Sequence, residues 1–198
     1  MRRIDRVSVS LSKGQQVSLT KPSGSSLTQV RMGLGWDAAK KRGFFGGLKN
    51  QSIDLDASAL LFDAADNLVD QVWFRQLQSK DKSVLHTGDN LTGAGDGDDE
   101  SIKVDLQRMH PSITTIVFTV NSFTGQNFSQ VENAFCRLID ETTETEIARY
   151  TLTGSGPHTA QIMAKVSRDG QSWSMTAIGA PATGRTFKEL LPAIVALL

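Results

Sequence analysis

The stretch IDLDASALL, residues 53–61, decides the fold class. Its apolar side chains recur at every second position and alternate with aspartate and serine, which is the pattern of a β-strand with two different faces. The same alternation appears around residues 7–11, 30–36 and 102–106. The apolar run ITTIVFTV, residues 113–120, has the length of one buried strand.

Two more alternating segments, residues 162–166 and 173–177, follow late in the chain, and turn-forming residues separate the strands. Because many short strands occur without long helices between them, the pattern predicts an antiparallel sandwich or barrel and does not choose between the two. A minor helical turn is expected within residues 127–135. No linker divides the chain, so we expect a single domain over residues 1–198.

One short helix is expected at the end of the chain. Thr186 and Glu189 have the spacing of a capping box, and Leu190, Ile194 and Leu197 follow on one helix face. Pro192 stands inside this segment, and a proline there is expected to kink or restart the helix.

Composition excludes several protein classes. The chain has 198 residues with 21 basic and 21 acidic side chains, and this zero net charge argues against a nucleic-acid-binding protein. No apolar run approaches the length of a membrane span, and the first residues alternate rather than form a signal peptide. The single cysteine, Cys136, excludes an internal disulfide framework and a thiolate zinc site. We therefore expect a cytoplasmic protein with a buried, inert thiol.

The most informative chemistry lies in HTGDNLTGAGDGDDE, residues 86–100. Residues 83–102 contain five carboxylates and no lysine or arginine, so this window has a charge of −5 and the rest of the chain +5. Carboxylates this close repel one another, and a solvated acidic turn or a bound cation would relieve the repulsion. The five are Asp89, Asp96, Asp98, Asp99 and Glu100.

Calcium is the cation that this loop fits best. Calcium takes six to eight oxygen ligands from carboxylates, amides and carbonyls. Asn90 adds an amide oxygen, and Gly93 and Gly95 are expected to contribute carbonyls. Glu100 is the candidate for bidentate ligation because its longer side chain reaches back across the loop, whereas Asp96 is expected to face solvent.

A second acidic set lies upstream of this loop. Asp54 and Asp56 are two residues apart on a predicted strand and therefore share one face. Asp37 follows the preceding strand. If both strands end beside the acidic loop, these three carboxylates would complete a cage; ordinary solvent-facing strand polarity is the alternative.

These segments resemble the TerD/TerZ tellurium-resistance family. The long acidic motif at 86–100 is highly specific, whereas the other matching segments are individually weak. They occur in the same order over nearly the whole chain, at residues 9–14, 34–37, 54–58, 125–128 and 146–150. The resemblance implies a β-sandwich that binds calcium through its acidic motifs in the bacterial stress response.

The resulting prediction is an all-β, antiparallel sandwich of two sheets with a short C-terminal helix. We expect a non-enzymatic calcium-binding module that acts as a sensor or scaffold, with other proteins of the same stress-response system as partners. The expected metal-binding residues are Asp37, Asp54, Asp56, Asp89, Asn90, Gly93, Gly95, Asp98, Asp99 and Glu100.

Two rival functions remain open. The basic segment 37–52 is predicted to be a long loop with Phe44 and Phe45 at its tip, which suits calcium-dependent docking on a membrane surface. The chain departs from the usual family pattern in this loop and at residues 70–74. A hydrolase that activates water on its metal is the other rival, although a site filled by protein oxygens disfavours it.

The remaining residues with distinctive chemistry are assigned structural roles. The three histidines have no matching ligands at metal-site spacing and are expected on the surface or in loops: His86, His110 and His158. The three tryptophans are expected in the core: Trp36, Trp73 and Trp173.

Overall fold

The alternating segments form strands in two sheets that pack face to face, since each strand buries a row of apolar side chains between them. The protein is represented by a computed structural model that describes residues 9–21, 23–38, 40–42, 48–50, 54–88, 97–152 and 156–198. The strands are β1 (Val9–Ser10), β2 (Gln16–Ser18), β3 (Gln29–Ala38), β4 (Lys40–Arg42), β5 (Leu48–Asn50), β6 (Leu55–Phe62), β7 (Leu68–Val72), β8 (Val84–His86), β9 (Glu100–Asp105), β10 (Thr115–Ser122), β11 (Val131–Asp140), β12 (Thr145–Thr151), β13 (Ala160–Asp169) and β14 (Ser172–Ala182).

Each large sheet has six strands. Sheet I has the order β1-β12-β11-β3-β9-β8, and Sheet II has the order β2-β14-β13-β10-β6-β7. The pairings are antiparallel, except that β1 runs parallel to β12. The predicted fold class, a sandwich with a C-terminal helix, is confirmed.

The main core lies between the two sheets. Trp36 of Sheet I and Trp173 of Sheet II are 2% and 3% exposed, and Phe118 is fully buried. Cys136 is 1% exposed in the same core, and burial raises the pKa of its thiol to about 12. The expectation of core tryptophans and a buried cysteine is confirmed, with Trp73 buried in a second cluster.

The second cluster lies under the C-terminal helix α1, Phe187–Val195. The helix places Phe187, Leu190 and Ile194 against apolar side chains of Sheet II, among them Leu60 and Phe62. Strand β6 is therefore buried on both faces, which explains why all eight of its residues are inaccessible to solvent.

The helix differs from its prediction in two details. It begins after Thr186, but the Thr186 side chain makes no capping hydrogen bond, so the predicted capping box is wrong. The helix also continues through Pro192 to Val195 as one element, so the predicted restart at the proline does not occur. Packing of its apolar face on Sheet II offsets the cost of the internal proline. None of the described helices is long and apolar enough to cross a bilayer.

Two predicted irregular segments contain regular structure. Within the loop predicted at 37–52, β4 pairs antiparallel with β5 and forms a hairpin stem. Its expected tip residues, Phe44 and Phe45, lie outside the described residues. The helical turn predicted within 127–135 is a short 3-10 turn at Phe128–Gln130, and β11 starts directly after it.

The strand registers bring several chain segments to one end of the sandwich, which we name the acidic end. Glu100, the first residue of β9, pairs with Leu34 near the end of β3. Asp56, at the start of β6, pairs with Asn121 at the end of β10. Strand β8 also finishes here, at His86. The end of β3, the start of β6 and both flanks of the acidic loop therefore meet, as the cage hypothesis requires.

The outer edge of Sheet I is covered by the chain segment that precedes β8. The N–H of His86 donates to Leu77 O at 2.8 Å, and the N–H of Ser79 donates to Val84 O at 3.0 Å. Gln78 forms a bridge with Leu85. The hydrogen-bonding groups on the exposed side of β8 are thus used within the chain.

The two sheets are also held at a fixed spacing by Tyr150. Its hydroxyl group lies against Gly179, and a Cβ atom at Gly179 would overlap the Tyr150 oxygen. Gly179 has a φ of +56°, the left-handed region that favours glycine. Gly170 has a φ of +58° but nothing within 4 Å of its Cβ position, so it isolates the backbone effect.

We expect Gly179→Ala to lower the free energy of unfolding by about 3 kcal/mol and Gly170→Ala by about 1 kcal/mol. Both variants strain the backbone, but only the first also collides with Tyr150. Denaturant titration of the two variants measures the difference. Equal losses would show that the Tyr150 contact does not restrict position 179.

Candidate functional site

A buried carboxylate, Glu100, connects the two sheets at the acidic end. Glu100 is 1% exposed, and its Oε2 atom accepts a hydrogen bond from the N–H of Ala57 at 2.8 Å. Glu100 belongs to Sheet I and Ala57 to Sheet II. This hydrogen bond therefore joins the sheets at the point where β6 and β9 begin.

His86 lies beside this carboxylate. It is 2% exposed, and its Nε2 atom is 3.4 Å from Glu100 Oε2. The N–H of Gly88 donates to His86 Nδ1 at 3.2 Å, so a neutral His86 carries its proton on Nε2, facing Glu100. The expectation of a surface or loop histidine is wrong for His86 because it is a buried residue at the end of strand β8.

The other two histidines differ from each other. His110 is exposed, as predicted, whereas His158 is 8% exposed and stacks near Phe128, with 5.3 Å between ring centroids. Burial lowers the pKa of His158 and favours its neutral form. His158 is therefore a loop histidine, as predicted, although it is buried rather than at the surface.

Asp54 and Asp56 stand at the start of β6, directly before the residue that bonds to Glu100. They are 9% and 5% exposed, which contradicts the alternative of ordinary solvent-facing polarity. The carbonyl of Asp54 accepts a hydrogen bond from Phe123 at 3.1 Å, and this bond connects the start of β6 to the turn after β10.

Asp99 is held against the end of β3 by two hydrogen bonds. Its own N–H donates to Leu34 O at 2.8 Å, and its Oδ2 atom accepts from the N–H of Trp36 at 2.9 Å. Burial raises the pKa of Asp99, and the negative charges of Asp37 and Asp98 raise it further, against the lowering effect of the Trp36 bond. Three carboxylates thus lie close enough to repel one another.

Asp98 is paired with a cation on the outer face of Sheet I. The Nε of Arg137 donates to Asp98 Oδ1 at 2.7 Å, and Nη1 of Arg137 is 3.3 Å from Glu146 Oε2. The hydrogen bond to Asp98 raises the pKa of Arg137. The Asp98 carboxylate lies over Gly33, where any Cβ atom would overlap it. Arg137 therefore fixes the end of the acidic loop on the sheet.

Asp37 is positioned by the opposite strand. The side-chain amide of Asn133 donates to Asp37 Oδ2 at 2.6 Å. Asn133 has a φ of +51° and stands in the register shift between Glu132 and Phe135 of β11. This irregularity turns the asparagine toward the exposed carboxylate of Asp37.

The structure brings six of the ten predicted metal-binding residues to the acidic end. These six are Asp37, Asp54, Asp56, Asp98, Asp99 and Glu100. The other four, Asp89, Asn90, Gly93 and Gly95, lie outside the described residues, as does Asp96.

The chemistry of the six residues fits a hard cation, since they offer carboxylate oxygens and no thiolate. Within the described ranges, however, no three histidine, cysteine, aspartate or glutamate side chains are grouped closely enough to hold a metal. A site with six to eight oxygens therefore needs ligand atoms beyond these carboxylates.

Sequence reasoning missed His86, Arg137 and Asn133 as parts of this region. Each belongs to a strand or strand irregularity that reaches the acidic loop only in the folded structure. The sole local signal was the position of His86 at the first residue of the acidic motif.

A double-mutant cycle tests the contact between Asp98 and Arg137. We expect Asp98→Asn and Arg137→Met to show a coupling of about 1–2 kcal/mol in the free energy of unfolding, between the values of exposed and buried pairs. We expect this value because the pair is partly buried: the Asp98 side chain is 8% exposed and the Arg137 side chain 25%. The Lys103–Glu141 pair, whose lysine side chain is 43% exposed, is the control and should couple by less than about 1 kcal/mol. Equal couplings would contradict a positioning role.

Two curated proteins are similar to this chain over most of its length. Tellurium resistance protein TerZ of Serratia marcescens is 50% identical over 189 residues, which cover 94% of this chain and 97% of that protein. General stress protein 16U of Bacillus subtilis is 40% identical and covers 90% of this chain and 93% of its own length.

A solved structure supports the fold. The crystal structure of a homologue of telluride resistance protein TerD from Streptomyces coelicolor superposes with a TM-score of 0.68 at 20% identity, covering 80% of this chain and 92% of that chain. The model of the TerD domain matches residues 7–193. With that match and the extent of the similarity to TerZ, the chain belongs to the TerD family of tellurium-resistance and stress-response proteins.

Proposed function

We propose that this protein is a calcium-binding module of a bacterial tellurium-resistance or general stress-response system. It acts as a sensor or scaffold in the cytoplasm, with other proteins of the same system as partners and without a nucleic-acid ligand. In this proposal calcium changes the charge and order of the acidic end, and the partner recognises the changed surface.

The observation that carries the proposal is the convergence of carboxylates at the acidic end. The effect of this convergence is seen at Asp99. Burial and the charges of Asp37 and Asp98 all raise the pKa of the Asp99 carboxyl group. Folding therefore places the Asp99 carboxylate where its ionised form is disfavoured. A divalent cation bound among them would relieve this cost.

The described candidates for ligands are Asp37, Asp54, Asp56, Asp99 and Glu100, completed by oxygens from residues 89–96. Bound calcium would supply positive charge and join the acidic loop to the start of β6 and the end of β3. We assign Asp98 mainly to holding the loop, because Arg137 already neutralises its charge. Glu100 and His86 form the rigid base of the site.

Calcium should raise the melting temperature of the protein. A ligand that binds only the native state adds about 2.7 kcal/mol at a hundredfold excess over its Kd. For a domain of this size, this corresponds to a rise of about 5–11 °C between chelator and saturating calcium. Magnesium should give a much smaller rise because it prefers tight octahedral sites and keeps its waters. Differential scanning fluorimetry measures both effects.

The matched variants are Asp56→Asn with Asp99→Asn at the acidic end, and Asp66→Asn with Asp169→Asn in exposed turns at the opposite end. The first pair should abolish the calcium effect and raise the melting temperature without calcium, since repulsion falls. The second pair should leave the calcium effect intact. Identical melting curves of the wild-type protein in calcium and in chelator would refute calcium binding.

We also propose that the protein is not an enzyme that reduces tellurite. Reduction of tellurite to elemental tellurium takes four electrons, and a single thiol supplies one. The single thiol, Cys136, is buried, and its pKa of about 12 keeps it protonated at neutral pH. Thiolate chemistry is therefore suppressed.

Purified protein incubated with tellurite at neutral pH should form no elemental tellurium above a protein-free control, as followed by absorbance. Cys136 should also react with a thiol reagent much more slowly in native than in urea-unfolded protein. Stoichiometric tellurium formation by the protein alone would contradict the non-enzymatic role.

A further inference from the structure

A cluster of aromatic and basic side chains borders the acidic end on the side of Sheet II. We name Trp73, Phe74, Arg75, Phe123 and Lys188 the aromatic–basic patch. The ring of Phe74 contacts those of Trp73 and Phe123, with centroids 4.7 and 5.6 Å apart. The guanidinium of Arg75 lies 5.3 Å from the Phe74 ring centroid, and the ammonium of Lys188 lies 5.5 Å from that of Trp73.

Among the described residues, no carboxylate forms an ion pair with the cations of this patch. Arg75 and Lys188 are exposed, as is Arg185 just before the helix, and none of the three appears in an ion pair with a described residue. The nearest acid in sequence, Glu189, folds back against Gly184. The patch therefore presents positive charge beside apolar surface.

The patch is built from convex features. Trp73 and Gln76 are joined by two backbone hydrogen bonds of 3.0 and 2.9 Å, which place Phe74 and Arg75 at the tip of a tight turn. Phe123, which is 37% exposed, stands in the turn after β10. Lys188 lies in the first turn of α1. Two turn tips and a helix start thus share one surface.

The acidic end and the patch are directly connected, since the N–H of Phe123 donates to Asp54 O. The β4–β5 hairpin leaves the same end between β3 and β6, and its sequence carries Lys40, Lys41, Arg42 and Lys49.

We propose that the aromatic–basic patch docks on an anionic phospholipid surface. Phe74 and Phe123 are partly exposed and lie beside cations that form no ion pair with a described residue. This combination is typical of a membrane interface, where rings enter the headgroup region and cations meet lipid phosphates. An acidic peptide is the competing occupant, but extended peptides dock in grooves or along strand edges. Turn tips match a flat surface better.

The acidic end should oppose this docking until its charge is reduced. Asp37 is exposed near Asp99, and both carboxylates would repel an anionic surface. Calcium should therefore strengthen membrane binding. This calcium dependence rests on the proposed function, whereas the contribution of the patch does not.

Sedimentation with vesicles tests the proposal with the full chain. One set of vesicles is pure phosphatidylcholine, and the other contains about one-third phosphatidylserine. The protein should bind the anionic set in chelator, bind it more tightly in calcium, and lose binding as salt rises from about 0.1 to about 0.5 M. Equal binding to both sets, or none to the anionic set in either condition, overturns the proposal.

The patch variant is Arg75→Glu with Lys188→Glu, and the control is Lys80→Glu with Arg108→Glu, two exposed cations at the opposite end. Neutralising a cation near the surface costs about fivefold in affinity, so reversal of two should weaken vesicle binding by at least about thirtyfold. The control should stay within a few fold of wild type. Phe123→Ser should weaken binding without a change in net charge.

Circular dichroism and the calcium-induced rise in melting temperature are measured on every variant. A patch variant that keeps its fold and its calcium response but loses vesicle binding supports the proposal. Unchanged vesicle binding by the folded patch variant overturns it, even if the calcium response is present. Tighter binding of the wild type to a poly-glutamate peptide than to anionic vesicles would assign the patch to an acidic protein partner instead.

Discussion

The hydrogen bond from the Ala57 N–H to the buried carboxylate of Glu100 is the constraint on which the rest of the acidic end depends. A carboxylate that is 1% exposed is costly to bury unless it is hydrogen-bonded. Here the bond joins Glu100, the first residue of β9, to Ala57, the third residue of β6, and the His86 ring lies beside the same oxygen atom. The position of one oxygen atom thus sets the distance between β6 and β9. It also sets where Asp56 and Asp99, each adjacent to a bonded residue, are held.

The fold class could be predicted from the alternation of apolar and polar residues, because the clearest strands bury one face between the two sheets. The segments at β3, β9 and β13 were found in this way. Strands β11 and β12 were not identified from the sequence. Their outward faces mix charged and apolar residues, which hides the two-residue repeat of apolar side chains. Salt bridges such as Arg137–Glu146 satisfy those outward charges, and they form only once the strands pair. The capping box failed for a different reason: packing of α1 on Sheet II makes the cap dispensable.

The acidic residues of the candidate site were visible in sequence because aspartates and glycines were concentrated in two short motifs. The different roles of these acidic residues were not visible in the sequence. Asp98 pairs with Arg137, which is 39 residues away in the chain, and no local pattern indicates that contact. His86 was expected at the surface, yet it is enclosed because β8 is covered on its outer side. Long-range pairing therefore determines which acids are neutralised by the protein itself and which need another cation.

The covered edge of β8 has a consequence for assembly. Backbone groups of Leu77 and Ser79 occupy the outward hydrogen-bonding positions of β8, so another chain cannot extend Sheet I from that side. The segment that precedes β8 therefore blocks edge-to-edge pairing of Sheet I with the sheet of another molecule. Fibril formation through this edge would therefore be disfavoured. Any ordered polymer of this chain would have to grow through other surfaces.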